Sequence, residues 1–324
     1  MKLLKVSAVV LISSIVFAGC SFFGGKNDPE AQKAVQTAMI NMTTIKSLNY
    51  EFVLDGKVKS TDKDSAGFKE LTGSVNLSGV YDTNKKADPK VSVKLVGKGS
   101  TDGGAEKSFE GEIKIANNNF YFILSKISDL GLKNDEMSQA YKQMLDAFVN
   151  KWWYVALPAE SLSSFGMYSG NESELTPQEK QLKDLYEKTM FFIDVQLEGD
   201  EAVGSVAADK YSVTLDKKVF KDYIVESSKI RGQEPNKGEL AEMDDFFESM
   251  EFNGFVWVSK DNKMPIKMAG ELEIKDDGDS IGDTNMEMDF NVSYTVDNLG
   301  GTVTVEAPKD ATKFDLMTLL GGGM

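Results

Sequence analysis

A long run of alternating apolar and polar residues near the C-terminus constrains this fold more than any other feature. From Met286 to Val296 every even-numbered residue is apolar, and every odd-numbered residue between them is polar. Because successive side chains of a strand point to opposite faces of its sheet, the pattern predicts a strand with one buried face and one face in water. Such strands are typical of antiparallel sheets, whereas parallel sheets are usually buried on both faces.

The same period of two recurs along most of the chain. Shorter alternating runs begin near Phe52, Val75, Val91 and Phe109, and clusters of Gly, Asn, Asp and Lys separate them. Residues 119–124 are more uniformly apolar, which predicts a strand buried on both faces. Further strands are predicted at 151–155, 191–197, 210–215, 254–258, 264–268 and 303–305.

Helical periodicity interrupts these strands. Asp28 and Pro29 are typical of a helix start, and Thr176 with Glu179 forms a capping box in which each side chain satisfies a free backbone N–H. Helices are predicted at 28–47, 135–149, 176–190, 217–230 and 237–250. Since neither a helix stripe nor a half-apolar sheet can hide its apolar side alone, we expect one α+β domain. It would span 28–310 as a curved antiparallel sheet with helices packed over its concave face, followed by a flexible tail at 311–324.

The N-terminus is typical of a secretory signal that ends at the single cysteine of the chain. Lys2 and Lys5 begin it, and the apolar stretch that follows is too short to span a bilayer. Small residues then lead to Gly19 and Cys20. We therefore expect residues 1–19 to be a signal peptide cleaved between Gly19 and Cys20, and residues 20–27 to be a tether.

This segment resembles the lipobox of bacterial lipoproteins. The resemblance implies a diacylglycerol on the Cys20 sulfur and an acyl group on the new N-terminus, with no other cofactor. It also implies a location in the cell envelope, anchored to the extracytoplasmic side of a plasma or outer membrane. One acyl chain anchors marginally, at about 0.8 kcal/mol per buried CH₂, while two or more hold a protein stably.

Charge and composition argue against several classes of function. The net charge is −15, and loss of the two lysines in residues 1–19 makes it −17. An acidic chain without a basic run is unsuited to nucleic acid, and anionic headgroups repel it, so we expect membrane contact through the anchor. The chain has no histidine and its one cysteine is assigned to lipid, which removes Ser-His triads, cysteine nucleophiles and zinc-cysteine sites. No carboxylate pair stands out, so we do not expect an enzyme.

The acidic loop at 276–285 is the one candidate for a metal site. Its acids are spaced roughly as in a calcium-binding EF-hand loop. Ile281 and Met288, however, stand where that loop requires oxygen ligands. We therefore expect a solvated hairpin turn and no metal.

Two tryptophan-bearing segments resemble the lipoprotein-carrier superfamily, whose members include LolA, LolB, RseB, LppX and LprG. Residues 254–268 (GFVWVSKDNKMPIKM) are similar to its hairpin of a tryptophan strand, a charged turn and a proline. Residues 151–155 (KWWYV) resemble the Lys-Trp-Tyr strand of the LppX-like lipoproteins. The resemblance implies an incomplete antiparallel barrel with helices plugging its mouth.

Such a fold implies an apolar cavity that holds acyl chains by burial of apolar surface. The candidate lining residues are apolar, and many are flexible methionines suited to irregular ligands: Met243, Phe247, Met250, Trp257, Met264, Met268, Met286, Met288 and Phe290. The same side chains could instead fill a closed core. Two functions stay open: binding of lipid or lipoprotein acyl chains for local transfer or presentation, or a structural or sensing surface lipoprotein that contacts another envelope protein and holds no ligand.

Overall fold

The structure is a computed structural model of the 324-residue chain. It describes residues 28–61, 67–85, 88–128, 145, 148–157, 175–276 and 285–314. The predicted signal peptide, Cys20, most of the helix predicted at 135–149, residues 158–174, the tip of the acidic loop and most of the tail predicted at 311–324 lie outside the described residues.

Four complete helices lie within the described ranges: α1 (Pro29–Met42), α2 (Pro177–Lys188), α3 (Lys217–Ile230) and α4 (Lys237–Ser249). The predicted capping box of α2 is confirmed. Thr176 Oγ1 accepts the Glu179 N–H at 3.2 Å, and the Glu179 carboxylate accepts the Thr176 N–H at 2.7 Å. The predicted start of α1 is confirmed too, since Asp28 accepts backbone N–H groups of the first turn. Three helix ends were predicted too late: α1 by five residues, α2 by two and α4 by one.

The described strands form one sheet: β1 (Ser47–Ser60), β2 (Glu70–Asp82), β3 (Lys90–Thr101), β4 (Lys107–Ala116), β5 (Asn119–Ile127), β6 (Trp153–Ala156), β7 (Phe192–Val203), β8 (Val206–Leu215), β9 (Met250–Ser259), β10 (Pro265–Asp276), β11 (Met286–Asp297) and β12 (Thr312–Lys313). Their order is β12-β6-β5-β4-β3-β2-β1-β11-β10-β9-β8-β7. All neighbours are antiparallel except β12, which runs parallel to β6. Because β7 and β12 are the two edges of this sheet, it is unclosed, and the predicted α+β class with an incomplete antiparallel barrel is confirmed.

Two predictions for individual strands are wrong. Residues 303–305 form no strand, although Val303 and Val305 are buried against Ala116 and Tyr121. Their alternation reflects packing across one face of the sheet rather than pairing at its edge. In β5, among residues 119–124, Tyr121 alone is buried and the others are half-buried. The strand lies near the edge of the sheet, beside the four-residue β6, so its two faces are not both covered.

The main core lies between the helices and one half of the sheet. Helix α1 packs on β7, β9 and β10, and α4 packs on β9 and β10. Val35 and Met39 of α1 join Phe52, Val256 and Met268 of the sheet in one buried cluster. We call the sheet face that carries Phe52 and Met268 the inner face. The predicted helix layer is therefore observed over the β7–β11 half of the inner face.

Candidate functional site: an apolar face over β1 to β5

The inner face continues beyond the helices as an apolar surface on β1 to β5. Directly paired residues of antiparallel strands share a face, so the register carries the inner face from Phe52 to Leu77 and then to Leu95. We call this surface the apolar face and define it by Leu54, Leu71, Val75, Leu77, Val93, Leu95, Phe109, Ile113 and Phe122. It adjoins the core at β1 and extends four strands away from it.

Exposure distinguishes the apolar face from the core beneath the helices. Leu71 is 38% exposed, Phe109 37% and Ile113 36%. On the helix-covered half of the same sheet face, Met250 and Val256 are both 0% exposed. Exposed large side chains are ordinary when scattered singly, but a contiguous patch of them marks a binding surface.

Charged side chains of β1, β2 and β3 all lie on the opposite, outer face. The register assigns to it Glu51, Asp55, Lys57, Lys59, Glu70, Asp82, Lys90, Lys94 and Lys98. Lys57, for example, forms an ion pair with Asp289 at 3.2 Å on that side. A molecule lying on the apolar face across these three strands therefore meets no ionic group from them, as the alternating sequence pattern predicts.

Glycines form part of the floor of the apolar face. Gly56, Gly73 and Gly99 are paired with one another across β1, β2 and β3. At Gly97 an added Cβ would collide with the Phe109 ring, so this ring lies directly over the glycine backbone. A neighbouring ring takes the place of a side chain at Gly97, and glycines at such positions let backbone and rings approach closely and let a sheet bend.

Tyrosine hydroxyls lie beside the apolar face at β1. The Tyr50 hydroxyl lies over Gly79, 3.1 Å from where a Cβ of that glycine would stand. Tyr81 and Tyr294 are its diagonal neighbours on β2 and β11. Burial raises the pKa of Tyr50 to about 12, and burial together with the two nearby tyrosines raises the pKa of Tyr294. The hydroxyls of Tyr50 and Tyr294 therefore stay protonated at neutral pH and give this end of the face a polar but uncharged character.

An aromatic cluster lies at the β6 edge of the same face. Trp153, paired with Phe122, packs against Phe148 at 5.3 Å and against Phe314 at 6.0 Å between ring centroids. Phe314 follows β12, so the parallel pairing of β12 with β6 places it there. The apolar face is thus bounded by tyrosines on one side and by packed rings on the other.

The structure places most of the predicted lining residues in the main core. Six of the nine belong to its cluster: Met243, Phe247, Met250, Met268, Met288 and Phe290. Phe247, Met250 and Met268 are at most 6% exposed beneath the helices, so they fill the core rather than face an open surface. Met243, Met288 and Phe290 are half-buried at its margin, and a role for them in lining a ligand site stays a prediction.

Three other predicted lining residues lie elsewhere. Met286 and Met264 are half-buried outside the main core, at the start of β11 and in the turn before β10. Trp257 is corrected to the outer face, because it neighbours the inner-facing Val256 on a strand. There the ammonium groups of Lys210 and Lys267 lie 5.0 and 4.4 Å from its ring centroid. These cation–π contacts give Trp257 a structural environment away from the apolar face.

The exposed residues of β2 to β4 were predicted as strand positions but not as site residues. Their signal in the sequence was the alternation itself, which also runs through the covered strand β11 and so does not distinguish exposed from covered positions. The part of the chain that the structure describes contains no helix long and apolar enough to cross a membrane. Within those same ranges, no three acidic, cysteine or histidine side chains converge as metal ligands.

Comparisons with known proteins find similarity among solved structures alone. No family model matches the chain, and no curated protein does. LprF from Mycobacterium bovis is 15% identical over 88% of this chain and 99% of LprF, with a TM-score of 0.39. The lipoprotein LppX from Mycobacterium tuberculosis is 10% identical over 86% of this chain and all of LppX, with a TM-score of 0.31. The MucA/MucB complex from Pseudomonas aeruginosa is 10% identical over 86% of this chain and 59% of the matched chain, with a TM-score of 0.23. The function therefore has to be inferred from the residues of this chain.

Proposed function

We propose that this chain is an extracytoplasmic lipoprotein, anchored through Cys20, that binds acyl chains of lipids or lipoproteins on the apolar face for local transfer or presentation. The observation that carries the proposal is the exposure of large apolar side chains, such as Leu71, Phe109 and Ile113, on a face without charges from β1 to β3. Covering apolar surface contributes about 25 cal/mol per Å², so a ligand spanning several strands gains most of its affinity from burial.

Hydrocarbon suits this face better than a polypeptide does. A peptide laid on it would have to satisfy its own backbone N–H and C=O groups, and an unpaired buried polar group costs free energy. The inner positions of β2 and β3 at the centre of the face offer aliphatic side chains and glycines: Leu71, Gly73, Val75, Leu77 and Gly79, with Val91, Val93, Leu95, Gly97 and Gly99. An acyl chain has no polar groups, so its burial on this face leaves no hydrogen-bonding group unpaired.

Native mass spectrometry of the full chain carrying Cys20→Ser tests the proposal directly. We expect the purified chain to carry the added mass of about one lipid, because the exposed apolar face would acquire one in the cell. Extraction with organic solvent should remove that mass and leave the intact polypeptide. A bare polypeptide mass, unchanged after incubation with vesicles made from envelope lipids, would overturn the acyl-chain proposal.

The proposed anchor is tested by the same Cys20→Ser change in cells. The wild-type chain should sediment with the membrane fraction. The variant, given a cleavable export signal without a lipobox in place of residues 1–19, should move to the soluble fraction, because the acyl groups supply the membrane affinity. Ser21→Ala is the matched control, since it alters the neighbouring residue and leaves the cysteine. Membrane sedimentation of Cys20→Ser at the wild-type level would contradict lipid anchoring.

A second candidate function is contact with another envelope protein without any ligand. The filled core favours it, since Met250 and Val256 leave no solvent-exposed surface beneath the helices. In that case the apolar face would be covered by the partner, and the chain would carry no lipid mass.

For either function we propose no catalysis, because the chain has no histidine and its single cysteine is assigned to the anchor.

A further inference from the structure

One cross-strand row of the inner face connects the aromatic cluster to the tyrosine side. Direct pairing aligns, in order, Trp153, Phe122, Ile113, Val93, Gly79 and Tyr50. The row crosses five strand spacings of about 4.8 Å each, or about 24 Å in all. That is comparable with the length of an extended long acyl chain, so the row can hold one chain lying across the strands.

Trp153, at the β6 end of this row, has a buried hydrogen-bond donor without a partner. Its side chain is 8% exposed, and its indole Nε1 makes no hydrogen bond within the described ranges. The rings of Phe148 and Phe314 pack around it and offer no acceptor. Nearly all buried donors in proteins are paired, and a ligand oxygen would pair this one. The indole N–H of Trp257 is unpaired as well, but it lies on the outer face, away from this row.

A cation lies over the ring that carries this donor. The Lys151 ammonium stands 4.3 Å from the centroid of the Trp153 ring, and the lysine is exposed. Among the described residues, no acidic side chain forms an ion pair with Lys151. An ammonium group and an unpaired N–H donor at one aromatic ring together suit a negatively charged oxygen.

We infer that Trp153 and Lys151 bind the anionic head of an acyl lipid, whose chain then lies along the row toward Tyr50. The indole N–H donates to a carboxylate or phosphate oxygen, and the Lys151 ammonium neutralises its charge. The inference rests on the proposed function, since it names the class of lipid bound on the apolar face. It also explains why the row is apolar between its two ends.

Fluorescence titration with cis-parinaric acid and with its neutral methyl ester tests this inference on the Cys20→Ser chain. Trp153→Phe keeps an aromatic ring but removes the donor, so affinity for the acid should fall about tenfold, as expected for a lost hydrogen bond to a charged group. Lys151→Gln should lower the affinity for the acid about fivefold and leave the affinity for the ester unchanged. Lys151 is exposed, so this variant should fold normally.

Trp152→Phe is the matched control, because Trp152 neighbours Trp153 on the opposite face, where Lys114 lies 4.9 Å from its ring centroid. It should bind both probes as the parent does. Competition identifies the head: displacement by oleate supports a carboxylate, and displacement by lysophosphatidylglycerol supports a phosphate. Parent-like binding of the acid by both Trp153→Phe and Lys151→Gln would overturn the inference and leave the proposed function standing. Failure of the parent to bind either probe would instead count against the proposed function.

Discussion

Replacing Ile113 by glutamate should abolish lipid binding and leave the fold intact. Ile113 is 36% exposed in the middle of the apolar face, so a carboxylate there stays hydrated in the free protein. A bound acyl chain would remove that water from an unpaired charge, which costs several kcal/mol and corresponds to a loss of about a hundredfold or more in affinity. Native mass spectrometry should show the bare chain, and thermal melting should remain cooperative.

Val53→Glu is the matched control for this experiment. Val53 is half-buried in β1 and lies on the outer face, where its cross-strand neighbours are Asn76 and Ser293. The same change of an aliphatic residue to glutamate should therefore leave the lipid mass in place. A lipid mass retained by Ile113→Glu would show that the ligand does not lie on the apolar face.

Replacing Met268 by glutamate should instead prevent folding. Met268 is 3% exposed beneath the helices, in the cluster that contains Val35, Phe52 and Val256. An unpaired charge there should lower the free energy of unfolding by about 4 kcal/mol or more, which is comparable with the whole stability of many domains. Thermal melting followed by circular dichroism should show no cooperative transition, whereas the volume-conserving Met268→Leu should cost under about 1.5 kcal/mol.

Met268→Glu also distinguishes two places for the ligand. A folded Met268→Glu chain that had lost its lipid would contradict the closed core. It would indicate that Met268 lines the ligand site, as the sequence analysis predicted. An unfolded Met268→Glu chain beside a folded, lipid-free Ile113→Glu chain would place the ligand on the open half of the inner face.

Local signals in the sequence predicted the secondary structure well where one physical cause dominated. The residues that begin α1 and α2 carry caps whose hydrogen bonds form within one turn, so those starts were correct. Helix ends were less accurate, because Met250 already begins β9 and Ser47 already begins β1. A helix stops where pairing with a distant strand takes over, and no short stretch of sequence contains that information.

Alternation predicted the faces of the strands but not the use of every residue on them. Trp257 was assigned to the same surface as Met268, although its neighbour Val256 occupies the inner position. Val303 and Val305 alternate like a strand, yet they pack over the sheet without pairing. In both cases the apolar residue types correctly indicated burial. Which residues they pack against depends on contacts in the folded chain.

The sequence by itself determined the antiparallel α+β class, the separation of charged from apolar faces, and the helix starts, because each depends on a period or a cap that acts over a few residues. It carried the predicted anchor at Cys20 for the same reason. The tertiary structure alone decided which half of the apolar sheet face the four described helices cover. Val93 and Val292 both occupy inner positions of alternating strands, and yet Val93 is half-exposed and Val292 is buried in the main core. That difference depends on where α1 and α4 pack, which is set by contacts between residues far apart in the chain.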